Sequence, residues 1–469
     1  MSSELIDTKK VAQRRRQIGQ LLKQIHKSNT DNRSLKEEFN VILEPYIREN
    51  DEAACAVVER RELRDDEDEC IAKLKKDDVA AILDIIKKLN PQLEEQNLPL
   101  KKLSLKSCTL PLSGESIEQL AQFISSFPSL DSFTLRFIWC GVKMPPRFIF
   151  CITKMAPQLR ELYLHFALKP DLAEQCISNL AKAIDSCRFL ESLNIDGMEC
   201  EGITNNCLSK LGKMTNKLES LRTFVFKLRS SQYIDEKGIQ DFGTEFTKTK
   251  QLTHLELSFY YFINTFSKQS MISLGKAIRQ QTELQSLVLD FSWCSDIVDE
   301  AAQIIISQIM DINHLRSLNI NFSGSTRITD LTLQYIGQAL KSNDKISKLF
   351  LYFGNCESFT DQGLFNLSKY LAKCTNLEEL TLDFSSCFNI TESGLESICS
   401  VLHNLYLLQD LFISTHDFLS NEIQDLLNQM QEKLRESASR KKSIYLSLLV
   451  TNQYSTLFKR KDVLNDLAY

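Results

Sequence analysis

The chain has 469 residues, 43% of them hydrophobic and 25% charged, with only 14 Gly and 9 Pro, which excludes collagen-like, linker-rich and disordered classes. A net charge of -5 argues against a surface given over to nucleic acid or anionic lipid. Leucine is over-represented at 68 copies, and 27 of the 41 aromatics are Phe, in a chain long enough for two or three domains unless it grows by repetition.

In chain order, residues 1–28 predict a basic helix, with Lys9, Lys10, Arg14, Arg15, Arg16, Lys23 and Lys27 around a narrow apolar stripe. An importin-type signal, a helix for an acidic partner, a membrane-surface helix and a plain solvated helix all fit it. A loop at Ser28–Arg33 leads to a segment expected to be helical over 34–62. The acidic run Glu59–Glu69 reads as a solvated hinge or helix face, and the amphipathic stretch Lys76–Leu89 as a cap over the segment that begins at residue 100. Residues 1–99 are thus expected to form a helical N-terminal region and N-cap.

From residue 100 the pattern Leu-x-x-Leu-x-Leu recurs. Its copies start at Leu100, Leu130, Leu159, Leu190, Leu221, Leu252, Leu284, Leu315, Ile346, Leu377 and Leu408, a period near 31 residues. Within a copy, Leu380, Leu382 and Phe384 alternate as one face of a strand. Leu395, Ile398 and Leu402 then come at helical spacing, after Thr391 at a helix N-cap position that Thr329 and Thr360 share. Gly363 and Gly394 in the first turn predict close approach of helix and turn.

LxxLxLxF(x)2C followed by xIT(D/E)xGLxxL resembles the leucine-rich repeat, in the long ribonuclease-inhibitor-like subtype, with a flavour similar to the repeat families of ciliates. The resemblance covers about residues 100–416 and implies an α/β solenoid with a concave parallel sheet and convex helices. Strands about 4.8 Å apart and helices 8–10 Å apart make such a stack curve by roughly 20° per repeat.

Position in the repeat sorts the side chains. The eighth place holds Phe137, Phe166, Phe259, Phe291, Phe322, Phe353 and Phe384, which reads as an internal Phe spine. The eleventh holds Cys140, Cys200, Cys294, Cys356 and Cys387, which reads as buried turn packing. The third, fifth and seventh places face outward, basic early and acidic late, a gradient able to orient a partner. Arg136, Tyr163, His165, Asp290, Phe350, Tyr352, Asp383 and Phe412 are the candidate contact residues, with the aromatics as anchors unless they cover one another. Trp139, Tyr261 and Trp293 share the tenth place and read either as a contact ridge or as turn packing. The two tryptophans are five repeats apart, about 25 Å, too far to share one small ligand.

After the repeats, Ile423–Leu434 marks a helix face within 421–440, and Ile444–Val450 a strand able to pair with the last repeat. Residues 417–450 are expected to be a C-terminal cap and 451–469 a polar tail. No apolar leader and no run of 18 apolar residues is present, and the 14 Cys include no CxxC pair, so a soluble cytoplasmic protein with reduced thiols is expected.

No nucleotide, metalloprotease, hydrolase or calcium-loop motif occurs, and His165 and His254 lie three repeats apart, about 15 Å. The expectation is a non-enzyme without cofactor or metal, bound to neither membrane, nucleic acid nor small-molecule substrate. Its role would be a protein-interaction scaffold, and the ciliate-like repeats associate it with a cytoskeletal or ciliary assembly, a nuclear site remaining open. Two alternatives come with the fold: a small-GTPase regulator of the Ran GTPase-activator type, and a ubiquitin-ligase substrate receptor, whose F-box start is not found in residues 1–99.

Overall fold

The structure is a computed structural model. It describes residues 158–415, apart from 166–169, 198–201 and single loop positions, together with strand segments at 39–48, 51–60, 100–107, 132–137 and 446–450. The chain divides into two compact units, Met1–Tyr233 and Ile234–Tyr469.

The N-terminal unit contains β1 (Phe39–Arg48), β2 (Asp51–Arg60), β3 (Leu100–Ser107), β4 (Ser132–Phe137), β5 (Glu161–His165), β6 (Ser192–Gly197) and β7 (Thr223–Arg229), with helices α1 (Pro170–Ile184) and α2 (Asn205–Thr215). β1 and β2 form an antiparallel hairpin, and each strand from β2 to β6 pairs in parallel with the next. The hairpin corrects the expectation of helix over 34–62. Pro45 removes a backbone donor that a helix would need, and Val41, Ile42, Tyr46, Ile47, Val57 and Val58 favour extended backbone. Pro45 sits on the first strand in the order, at an edge, where a missing N–H is tolerated.

The C-terminal unit contains β8 (His254–Tyr260), β9 (Ser286–Asp290), β10 (Ser317–Asn321), β11 (Lys348–Tyr352), β12 (Glu379–Asp383), β13 (Asp410–Thr415) and β14 (Leu446–Val450). α3 (Glu236–Phe246) precedes β8, and between the strands run α4 (Lys268–Arg279), α5 (Asp299–Met310), α6 (Asp330–Leu340), α7 (Asp361–Leu371) and α8 (Glu392–Leu402). All strand neighbours are parallel, and from β8 to β13 each pairing joins equivalent repeat positions, as Ser317 does with Ser286 and Lys348. In both units this is the strand–turn–helix architecture of leucine-rich repeats.

The core is the inward half of the period. Leu315, Leu318, Ile320 and Phe322 are fully buried, as are their counterparts in neighbouring repeats. The Phe spine is a run of stacked rings. Centroids are 6.2 Å apart for Phe259–Phe291, 5.7 Å for Phe291–Phe322, 6.3 Å for Phe322–Phe353 and 5.7 Å for Phe353–Phe384. Offset stacks at this spacing add to the area they bury. The thiols of Cys294, Cys356 and Cys387 donate to the carbonyls of Phe259, Phe322 and Phe353, at 3.0, 3.3 and 3.1 Å. These three cysteines therefore tie their turns to the repeat before, and Ser325 does the same in the repeat between, donating to Cys294 O at 3.2 Å.

A second set of bonds ties helix starts together. Thr329 and Thr360 cap α6 and α7 through their own hydroxyls. Each is also gripped by an aspartate one repeat earlier. Asp299 accepts from Thr329 N and Oγ1, both at 2.8 Å; Asp330 from Thr360 N and Oγ1, at 2.8 and 2.6 Å; Asp361 from Thr391 N and Oγ1, both at 2.7 Å. In the second clasp Gly363 leaves room for the Asp330 carboxylate, which a Cβ there would meet, whereas in the first the equivalent place is held by Thr332, whose hydroxyl donates to Asp299 Oδ1 at 2.6 Å. In the N-terminal unit Glu174 plays a related part, accepting from Thr204 Oγ1 at 2.7 Å and Lys210 Nζ at 2.6 Å.

The basic segment 1–28, most of the acidic run after Arg60, the 76–89 stretch, the 421–440 helix and the tail 451–469 lie outside the described residues. Among the described residues no helix is long and apolar enough to cross a membrane.

Candidate functional site

Alternation along each strand sends the fourth, sixth and eighth repeat positions toward the helices and leaves the third, fifth and seventh on the opposite sheet face. In the C-terminal unit that face carries Phe350 and Tyr352 on β11, Thr381 and Asp383 on β12, and Phe412 on β13. In register, Phe350 adjoins Thr381 and Thr381 adjoins Phe412, so two phenyl rings bracket one threonine across about 10 Å. Phe350, Tyr352 and Phe412 are half-buried, less open than an isolated outward side chain would be. Burial, and next the Asp383 carboxylate beside it, push the Tyr352 phenol up to about 12.

The acidic candidates are anchored. Asp383, 8% exposed, accepts from Ser385 N at 2.9 Å. Asp290 accepts from Ser292 N at 3.0 Å and from Ser258 Oγ at 2.9 Å. Asn321 makes the same bond to Ser323 N at 2.9 Å. In these three repeats the side chain closes the turn two residues on, an Asx-type bond that both amide and carboxylate can make. The aspartates therefore bring negative charge to the face in a fixed place. Lys348 on the same face meets Glu379 at 2.6 Å.

In the N-terminal unit Tyr163 is half-buried and His165 is buried, its Nδ1 2.9 Å from Asp196 Oδ2. That approach lacks the alignment of a hydrogen bond and is an ion pair only when the imidazole is protonated. Arg136 pairs with His165 through the β4–β5 ladder, but its side chain lies outside the described residues, as does all of Trp139.

The strand-end edge of the C-terminal unit is the more open surface. Tyr261 is 46% exposed, Ile263 53% and Trp293 39%. The tyrosine and tryptophan occupy equivalent places in neighbouring repeats, and both have φ of 62°, in the left-handed region. Gly324, Asn355 and Ser386 fill the same place in the next three repeats with φ of 74°, 60° and 59°. The turn explains the conformation. Tyr261 N donates to Ser292 O at 2.9 Å, Trp293 N to Ser323 O at 2.6 Å, Gly324 N to Gly354 O at 2.8 Å and Asn355 N to Ser385 O at 2.7 Å. The turn needs a backbone N–H there and sets no demand for an aromatic ring. Tyr260 adds a second ring 6.1 Å from Tyr261.

Sequence reading placed Tyr261 and Trp293 on one edge but missed Ile263 and the left-handed backbone. Gly324 and Asn355 at the tenth position, both residues that accept positive φ, carried that signal. Among the described residues no group of three or more His, Cys, Asp or Glu is placed to hold a metal ion. The seven described cysteines are free; burial raises Cys187 and Cys387 to about 12 and Cys374 and Cys399 to about 11.

No family model and no curated protein matches the chain. Among solved structures, the chain is similar to the leucine-rich repeat-containing protein LegL7 from Legionella pneumophila, at 14% identity and a TM-score of 0.39, over 67% of this chain and 94% of that one. The fold assignment rests on the chain's own repeat geometry.

Proposed function

We propose that the protein is a non-enzymatic interaction scaffold that holds a protein partner on the helix-free sheet face and the strand-end edge of its repeats. The observation that supports this most is the set of aromatic side chains outside the core. Phe350, Tyr352 and Phe412 lie on the sheet face, and Tyr261 and Trp293 on the edge, whereas the spine residues Phe259, Phe291, Phe322, Phe353 and Phe384 are buried. Aromatics displayed on an otherwise polar, rigid sheet are the residue types that dominate binding energy when a partner covers them. Residues 1–99 and 417–450 serve as end pieces that shield the terminal repeats, and the protein works in the cytoplasm. A cytoskeletal or ciliary setting has only the ciliate-like flavour of the repeats behind it.

The test is affinity purification with mass spectrometry on the full chain and on a Phe350→Ser/Tyr352→Ser variant with unchanged circular dichroism and unfolding midpoint. Loss of specific partners from the variant is the expected result. An unchanged partner set would remove the sheet face from the binding surface, and recovery of a small GTPase whose hydrolysis the protein accelerates would replace the scaffold reading.

A further inference from the structure

The two ends of the repeat turn make different demands, and the difference isolates one surface. At the seventh position the structure takes a turn-closing acceptor from Asp290, Asn321 and Asp383, while Tyr352 holds the same place on β11. At the tenth it needs only a backbone N–H in left-handed conformation, which Gly324, Asn355 and Ser386 provide at less steric cost than a large side chain. Tyr261 and Trp293 hold that place although neither the turn bond nor the core requires their rings, and both rings stay open to solvent. Ile263 lies on the same edge and is more exposed than either. Tyr261 and Trp293 thus hold a strained backbone state in neighbouring repeats, a single strand spacing of about 5 Å apart.

The sheet face adjoining this patch is mostly negative. The outward positions of β8 to β13 carry Glu256, Asp290, Glu379, Asp383 and Asp410, against Lys348, which Glu379 already holds, and one histidine, His254. Aspartate rather than asparagine at two seventh positions is not required by the turn, since Asn321 closes its turn equally well. Carboxylates beside open aromatic faces suit a cation twice over, by direct attraction and by the quadrupole of the ring. An acidic or phosphorylated partner would meet like charge on β8, β9, β12 and β13.

We infer that the edge formed by Tyr260, Tyr261, Ile263 and Trp293, with Asp290 three residues before Trp293 and Glu256 five before Tyr261 on the adjoining sheet face, docks an extended segment of a protein partner rich in arginine and lysine. This rests on the scaffold reading and names the chemistry of what the scaffold holds. The segment lays its apolar atoms along the ridge and its cationic heads over the rings, toward the carboxylates.

The test uses the full chain carrying Trp139→Phe, which leaves Trp293 as the only indole of the two in the sequence. A synthetic peptide alternating Arg or Lys with Gly is titrated while Trp293 emission is followed, with a Glu–Gly peptide of equal length as control. Saturable change with the basic peptide only, weakening at least about tenfold between low and moderately high salt, is expected. Asp290→Asn with Glu256→Gln should weaken binding about tenfold or more, as read by anisotropy of a labelled peptide, and Tyr261→Asn should do so as well. Asp290→Asn keeps the turn bond that Asn321 already makes, so a folded variant is available. No saturable change, equal binding of the acidic peptide, or unaltered affinity in the folded charge variants would overturn the inference. If the basic peptide fails while Phe350→Ser/Tyr352→Ser still releases natural partners, the scaffold reading stands and this one falls.

Discussion

The indole of Trp293 lies over the bare α-carbon of Gly324 in the next repeat: a Cβ at Gly324 would sit 2.6 Å from Cδ2 and 2.7 Å from Cε3 of that ring. Glycine at 324 thus does two things, accepting φ of 74° and leaving room for a ring that belongs to its neighbour.

Gly324→Ala should therefore be destabilising by about 1–2 kcal/mol from the left-handed backbone, with a further loss as the indole is pushed outward. Urea unfolding gives the first effect. In the Trp139→Phe background, the emission maximum of Trp293 should move to the red. Unchanged emission would mean the ring does not rest where the structure has it.

Tyr261→Asn places at that site the residue type that Asn355 shows can hold φ near 60°. The side chain lost is 46% exposed, so the relief of backbone strain, about 1 kcal/mol, offsets most of the lost contact. An unfolding midpoint equal to or above that of the parent is expected, together with weaker partner binding. A fall of several degrees would show that Tyr261 is a packing residue.

Phe322→Ala removes a fully buried ring that stacks on Phe291 and on Phe353. Loss of about 3–5 kcal/mol is expected, as for other large core aromatics cut to alanine. Hydrogen exchange should show the damage centred on the repeats flanking Leu315, because each repeat leans chiefly on its neighbours. Protection lost evenly throughout the unit would contradict that locality.

The thiols give a pH prediction. Burial raises Cys387 and Cys187 from an ordinary 9.0 to about 12, so the folded chain binds more protons than the unfolded one between those values. Stability should then be intact below pH 9 and decline as pH climbs toward 12. At pH 8 a thiol of pKa about 12 is thiolate in roughly one molecule in ten thousand, so native Cys187 and Cys387 should resist iodoacetamide. Mass spectrometry after native and denatured labelling checks this; rapid native labelling of either would refute their burial.

Much of this architecture was legible because one period governs it. Leu380, Leu382 and Phe384 announce a strand, and the Thr329–Thr360–Thr391 series announces helix starts, and each does so where the backbone turns. The hairpin at 39–60 was not legible, since its strands occur once, without a repeat to average over, and charged residues between its apolar pairs imitate a helix. At the candidate site, which residues leave the core could be read from alternation. How open they are could not, because Tyr352 and Asp383 shade each other across neighbouring strands. The acidic candidates hid their second task in the same way: a bond from Asp290 back to Ser292 N is a matter of turn geometry, to which spacing is blind.

The aspartate–threonine clasp has a bearing on how such a chain changes length. Each clasp spans 30 residues, from Asp299 to Thr329, Asp330 to Thr360 and Asp361 to Thr391, and each uses the same two bonds, from the threonine N–H and Oγ1. Excising residues 315–345 would bring Asp299 against Thr360 in the geometry it now has with Thr329, and would stack Phe291 on Phe353. A gene that copies or drops a whole repeat thus leaves no mismatched joint behind. One that copies part of a repeat leaves an aspartate and a threonine with nothing to grip, so length evolves here in quanta.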